Sequence, residues 1–177
     1  MIEFKEFRKI PRLNREVIIT EKIDGTNGCV VVGEDGDVWA QSRSRVIVPT
    51  ADNFGFAGWV EKNADTLREL GPGYHYGEWW GVGIQRGYGL TERRFSLFNV
   101  ARWGETRPAC CGVVPVLYRG LSLNDGAEGA LHDLRTQGSF AAPGFMKPEG
   151  IIAYHTAGNL YFKATLEKDD EHKGKAA

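Results

Sequence analysis

The 177-residue chain carries 22 lysines and arginines against 23 aspartates and glutamates, with 42 % hydrophobic and 25 % charged residues. This is ordinary globular composition, and one domain of this length buries a substantial core. A net charge of -1 excludes the overall basic footprint of many nucleic-acid binders, though not a local basic groove.

No apolar run approaches the ~20 residues that span a bilayer, and the opening Met1-Ile2-Glu3-Phe4-Lys5 lacks a signal peptide's apolar stretch. A cytoplasmic location is therefore expected. The adjacent Cys110 and Cys111 and the remote Cys29 give neither a disulfide set nor metal spacing, so reduced thiols are expected.

In chain order, Val17 to Thr20 and Cys29 to Val32 read as β-branched strands joined by a turn containing Asp24-Gly25 and Asn27-Gly28, the strongest short hairpin signals. Glu34-Asp35-Gly36-Asp37 reads as a second tight turn, followed by the alternating strand Val38 to Ser42, so a three-strand meander is expected to open the fold. Phe56, Trp59, Val60, Ala64 and Leu67 fall at helical spacing and predict one helix over about 53–70, with Asp52 capping it and Gly71-Pro72-Gly73 ending it.

Strands are expected at Tyr74 to Trp80, Arg94 to Val100 and Val113 to Tyr118, and a second helix at Asp125 to Gln137 before Gly138. Ile151 to Tyr154 and Asn159 to Leu166 form a closing hairpin around Ala157-Gly158. The expected organisation is one domain, 1–167, with a charged, disordered tail at 168–177.

The octapeptide Glu21-Lys22-Ile23-Asp24-Gly25-Thr26-Asn27-Gly28 is richer than a plain hairpin needs. It sets a lysine where strand gives way to an acidic, glycine-rich turn, an arrangement that suits a lysine attacking phosphorus. Four further segments carry complementary chemistry: an arginine after the third strand in Gln41-Ser42-Arg43-Ser44-Arg45, a carboxylate in Tyr76-Gly77-Glu78-Trp79, aromatics in Phe95-Ser96-Leu97-Phe98-Asn99, and Glu149-Gly150 followed by Lys163.

These motifs, in this order, resemble those of the covalent nucleotidyltransferases, the superfamily of polynucleotide ligases and capping enzymes. The chain is most similar to the bacteriophage RNA ligases of the second type. Glu-Lys-Ile-Asp-Gly-Thr-Asn, Gly-Glu-Trp-Trp-Gly leading into Ile84-Gln85-Arg86-Gly87-Tyr88, the Phe-Asn strand and Glu-Gly-Ile-Ile carry the likeness, which spans about Val17 to Lys163. It implies an α+β nucleotidyltransferase (ATP-grasp-like ligase) domain of two mostly antiparallel sheets with flanking helices and a nucleotide cleft between them.

The resemblance implies ATP-dependent joining of RNA 5′-phosphate and 3′-hydroxyl ends, as in RNA repair, through a lysyl-AMP on Lys22. Attack requires a neutral amine, while an unperturbed lysine has a pKa near ~10.4, so burial and neighbouring cations, Lys163 and Arg43, are expected to favour that form. Arg43 (or Arg45, if the motif slips by two) and Lys163 would also bind phosphate or ribose. Glu149 is assigned to Mg²⁺ or Mn²⁺, and Glu78 to the ribose and, through water, the same metal. Phe98 is assigned to stacking on adenine, with Phe95 equally suited to the core; Glu21 is assigned to base selection, with Ile23 and Asn27 also lining the cofactor site.

Two departures stand out. Ligases often carry two lysines flanking one residue in the last motif, where this chain has Tyr161-Phe162-Lys163, and Lys147 is a candidate to supply the other charge. Related ligases also have an extra C-terminal domain, and nothing after Lys163 is long enough for one, so a partner or self-association is expected to replace it. A DNA ligase, a GTP-using enzyme or a degenerate nucleotide- or RNA-end-binding module are the alternative readings.

Overall fold

A computed structural model describes residues 2–167. The expected tail at 168–177 lies outside the described residues. Ten strands and three helices follow one another as β1 (Val17–Lys22), β2 (Thr26–Val32), β3 (Val38–Ser42), β4 (Val46–Ile47), α1 (Phe56–Lys62), α2 (Ala64–Leu67), β5 (Gly73–Gly81), β6 (Arg93–Leu97), β7 (Cys111–Val113), β8 (Val116–Gly120), α3 (Leu123–Gln137), β9 (Gly150–His155) and β10 (Leu160–Thr165). They build two sheets, a four-stranded one ordered β10-β9-β1-β8 and a six-stranded one ordered β4-β3-β2-β5-β6-β7. Every pairing is antiparallel except β6 with β7. The expected α+β architecture is therefore present.

The opening hairpin is not. β1 pairs with β8 and β9 in one sheet, whereas β2 pairs with β3 and β5 in the other, so residues 23–25 cross between sheets instead of turning within one. Both strands are central, and Val17 to Glu21 and Gly28 to Val32 are buried without alternation. Val17-Ile18-Ile19 and Cys29-Val30-Val31-Val32 accordingly read as continuous apolar runs, the pattern of central strands whose residues are buried without a wet face of their own. The second expected turn does close a hairpin, with Gly33 N donating to Asp37 O and Gly36 at φ 84°.

A second crossover replaces the single strand expected at Val113 to Tyr118. Val114 N donates to Leu97 O of the six-stranded sheet, and Pro115 O accepts from Glu21 N of the four-stranded one. Two consecutive residues thus pin the sheets together beside the end of β1. Proline, lacking an N–H, fits at the junction where the ladder changes hands.

The helix expected over 53–70 is broken. Phe54 and Gly55 adopt left-handed φ of 50° and 73°, delaying the start to Phe56, and Asn63, at φ -106° and ψ 13°, leaves helical geometry between α1 and α2 while its side-chain amide donates to Trp59 O at 2.8 Å. A 3-10 turn, Arg68–Leu70, finishes the segment before Gly71. Asp52 does act as the cap: its carboxylate accepts from Ala57 N at 2.7 Å and Gly58 N at 3.0 Å. The strand expected over Arg94 to Val100 ends at Leu97, leaving Phe98 just beyond it.

The helical segment covers one face of the six-stranded sheet, where Phe56, Val60, Leu67 and Leu70 bury against Val30, Trp79, Phe95 and Leu97. Helix α3, capped by Ser122, covers one face of the four-stranded sheet through Ala130 and Leu134 against Val17, Ile19, Ile151 and Ala153. The two uncovered faces flank the crossovers, and the crossovers carry the octapeptide. A third cluster of Ile23, Trp80, Tyr88, Val114 and Ala142 fills the junction.

Candidate active site

Lys22 is the last residue of β1, and its register partner on β9 is Gly150. That pairing brings the side chain of the preceding Glu149 to Lys22: Glu149 Oε2 forms an ion pair with Lys22 Nζ, and both side chains are largely covered. Glu149 Oε2 is buried, and Lys22 Nζ is the group set against it. Gly150 has φ 156°, and a Cβ there would lie 2.1 Å from Ala164 O, so the Glu-Gly motif needs its glycine to let β9 and β10 close around it.

The Asp-Gly motif has an equally local cause. A Cβ on Gly25 would lie 2.5 Å from Trp79 O and 2.7 Å from Trp80 Cβ, because the crossover lies flat on β5. From there Gly25 N donates to Glu78 Oε1 at 3.1 Å, while Asn27 Nδ2 donates to Glu78 Oε2 at 3.0 Å. Glu78 is buried, and burial pushes its carboxyl up to about 7, against the hydrogen bond from Asn27 and the charge of Lys22. Lys22, Glu78 and Glu149 thus form one electrostatic cluster.

Asp24 is held from the other side. Its N–H donates to the Tyr88 hydroxyl at 2.8 Å, and its carboxylate pairs with Arg86 Nε at 2.9 Å. Arg86 Nη1 also donates to Lys147 O at 3.1 Å, so one guanidinium joins the crossover after Lys22 to the segment that delivers Glu149. Tyr88 stands in the left-handed region at φ 54° and packs edge-on to Trp80. These holders were missed as functional residues; their signal was the glycine-dense run Gly81 to Gly89, too long for a plain turn.

Strand alternation divides the remaining assignments. Glu21 projects to the α3 side of its sheet, opposite Lys22. It is buried, and its carboxylate accepts from Ser139 Oγ at 2.6 Å and from Phe140 N and Ala141 N at 2.8 Å each. Burial raises its carboxyl pKa against those three bonds. Glu21 therefore ties the loop after α3 to the sheet, with its carboxylate on the face opposite Lys22. Ile23 is buried in the junction cluster with Trp80 and Tyr88.

Arg43 follows the Ser42–Gly28 pair, so continuing the register sets it level with Asn27 and Glu78 at the cleft face. It is exposed, as is Lys163, and neither has an ion-pair partner among the described residues. Lys163 pairs with Ile152, which pairs with Thr20, so it shares the face of Lys22 one register step away. Both cations lie beside the cleft, but the charge in contact with Lys22 is the Glu149 carboxylate. Lys147 contributes its carbonyl, and its side chain is exposed.

Phe98 N donates to Tyr76 O, and the ring is exposed on the face that carries Glu78. Phe95, by contrast, is wholly core. Tyr161, standing where a second lysine was expected, stacks on Tyr154 with ring centroids 4.5 Å apart.

A family model described as RNA ligase matches residues 15–166. The chain belongs to the RNA ligase family. Its solved-structure likenesses agree: a lysine-to-alanine variant of the Naegleria gruberi RNA ligase with ATP and Mn matches at TM-score 0.64 and 22 % identity, covering 90 % of this chain and 52 % of that one. A glutamate-to-alanine variant of the Naegleria ligase with AMP and Mn gives 0.63 and 21 %, covering 91 % and 53 %.

The chain therefore spans about half the length of the RNA ligases it matches, and at these identities the likeness establishes the fold. No curated protein matches its sequence. The span shared with the RNA ligase family contains every residue of the Lys22, Glu78 and Glu149 cluster and its holders Asp24, Arg86 and Tyr88.

Proposed function

We propose that this chain is the adenylating domain of an ATP-dependent RNA ligase, with Lys22 as the nucleophile. The observation that carries the reading is the convergence of Lys22 Nζ with Glu149 and Glu78 at a crossover between two sheets, in a chain of the RNA ligase family. Lys22 Nζ, once it has shed a proton, attacks the α-phosphorus of ATP; the P–N bond forms and pyrophosphate leaves. AMP then passes to an RNA 5′-phosphate, and a 3′-hydroxyl displaces it to join the strands. Phe98 supports the adenine face, while Arg43 and Lys163 hold phosphate or ribose.

The Naegleria structures with ATP and Mn, or AMP and Mn, support the cofactor assignment. Among the described residues no set of three His, Cys, Asp or Glu could hold a metal alone. Mg²⁺ and its relatives usually need only one or two carboxylates plus substrate phosphates. The buried Glu149 carboxylate near Glu78, whose only charged contact among the described residues is Lys22, fits such a site. A bound Mg²⁺ or Mn²⁺ would neutralise phosphate charge there. Glu149 and Glu78 would hold it, with Asn27 and Gly25 N keeping Glu78 aimed.

The test is end joining. Nicked RNA, nicked DNA and 5′-phosphorylated single strands are incubated with the protein, ATP and Mg²⁺ or Mn²⁺. Joined or 5′-adenylated RNA that disappears with Lys22→Ala supports the proposal; equal or better joining of DNA corrects the substrate. Oligonucleotide binding with neither product would establish an RNA-end-binding module in place of an enzyme.

A further inference from the structure

The uncovered face of the six-stranded sheet is ruled into rows by its register. The first row is Asn27, Glu78 and Ser96, the level of the nucleotide cleft. The next, two residues along each strand, is Gln41, Cys29 and Tyr76, extended by Phe98 through its bond to Tyr76 O. The third is Trp39, Val31 and Tyr74.

Strand geometry spaces such rows by ~7 Å, so the third lies ~14 Å from the Glu78 row. Four aromatic side chains on this face are exposed: Trp39 at 45 %, Tyr74 at 61 %, Tyr76 at 58 % and Phe98 at 40 %. Between them only the small, buried Cys29 and Val31 intervene. Tyr74 and Tyr76 are nearly parallel, with centroids 6.5 Å apart and 17° between planes.

From this geometry we infer that Trp39, Tyr74 and Tyr76 form a stacking platform for the bases of the substrate RNA strand, continuous with the nucleotide cleft at Phe98. The inference rests on the ligase reading above and names the surface that receives the second substrate. A contiguous exposed aromatic patch is unusual on a soluble domain and marks a binding surface. Flat rings without charge suit bases, whose faces stack with little regard to sequence.

The charge arrangement selects nucleic acid over a second apolar surface. Arg43 and Arg45, exposed in the turn that follows β3, border the platform at its cleft end without ion-pair partners among the described residues, while the acidic turn Glu34-Asp35-Gly36-Asp37 borders Trp39 at the far end, so backbone phosphates have cations beside Tyr76 and Phe98 and the far rings meet bases. Continuity decides which strand lies there. A 5′-phosphate reaching the Lys22 and Glu78 level leaves its following bases to run along the rows of Tyr76 and then Tyr74 and Trp39.

Tyr74→Leu/Tyr76→Leu and Trp39→Leu are compared with the Tyr74→Phe/Tyr76→Phe variant, which keeps the rings. Binding of a 5′-phosphorylated RNA oligonucleotide is followed by fluorescence anisotropy, and lysyl-AMP formation is measured without RNA. The platform predicts roughly 10-fold or greater weakening of RNA binding in the leucine variants, recovery in the phenylalanine variant, and unchanged lysyl-AMP formation.

Unaltered RNA binding overturns the inference, as does a loss of dimerisation in the leucine variants with RNA binding intact, which would assign the face to a second copy. A wild-type protein that forms no lysyl-AMP refutes the enzymatic reading, while the oligonucleotide titration still decides the platform.

Discussion

Glu78→Gln should remove a pH dependence that the fold imposes on itself. The Glu78 carboxyl is raised from 4.5 to about 7 in the folded protein, chiefly by burial, so the folded state keeps its proton to higher pH than the unfolded chain does. Stability from this group is complete below about pH 4.5 and declines as pH rises to about 7. The gap, at ~1.4 kcal/mol per pKa unit, amounts to about 3 kcal/mol at full effect.

The glutamine retains an oxygen for Gly25 N, and Asn27 can turn its own oxygen toward the new amide, so the hydrogen bonds survive while the titration is removed. Thermal unfolding without divalent cations, at about pH 5 and about pH 8, is the assay. At ~2–4 °C per kcal/mol for a chain of this size, Glu78→Gln should melt roughly 5–10 °C above wild type at the higher pH and close to it at the lower. Parallel melting curves at both pH values would refute the reasoning, since they would mean that Glu78 is not held protonated by its burial.

Glu21→Ala leaves the Ser139 hydroxyl and two amides without their acceptor and should cost about 3 kcal/mol in chemical denaturation, with the preference for ATP over GTP unchanged. A changed nucleotide preference at full stability would return Glu21 to the base. Gly25→Ala forces a Cβ into Trp79 O and Trp80, and should destabilise the domain by about 1–3 kcal/mol while abolishing lysyl-AMP formation; a fully active alanine variant would contradict the flat crossover. Arg86→Ala cuts the link between Asp24 and Lys147 O, and single-turnover adenylation should slow by roughly 10-fold or more at unchanged ATP affinity. An equal loss in binding alone would make Arg86 a substrate contact.

Much of the strand and turn content was legible because local chemistry decides it. Gly36 closes the β2–β3 hairpin, Ser122 and Gly138 bracket α3, and Ala157-Gly158 lies in the β9–β10 turn, all within a few residues of one another. What escaped were choices made by distant partners. The Asp24-Gly25 turn looks like a hairpin, and only the occupation of both edges of β1 by β8 and β9 forces the chain into the other sheet.

The unalternating Val17-Ile18-Ile19 was the available clue, since a hairpin with one wet face would alternate. Val114-Pro115 likewise reads as the middle of a strand until its two neighbours pull it into different sheets. At the site, Lys22, Glu78 and Glu149 were legible from their motifs. The face of Glu21 was legible too, because adjacent residues on a strand oppose one another, and Lys22 had already claimed the cleft. The partners of Lys22 were not, because the 127 residues from Lys22 to Glu149 are closed only by the β1–β9 register.

The most direct test of the central claim is mass spectrometry of the intact protein, then of its peptides, after incubation with ATP and Mg²⁺ or Mn²⁺. One adenylate should appear, surviving alkali but released by acid as a phosphoramidate is, and reversed by pyrophosphate, with the added mass on the peptide containing Lys22 and none on Lys22→Ala. No adduct in the wild type, an adduct mapped to another residue, or one that persists in Lys22→Ala would contradict the account.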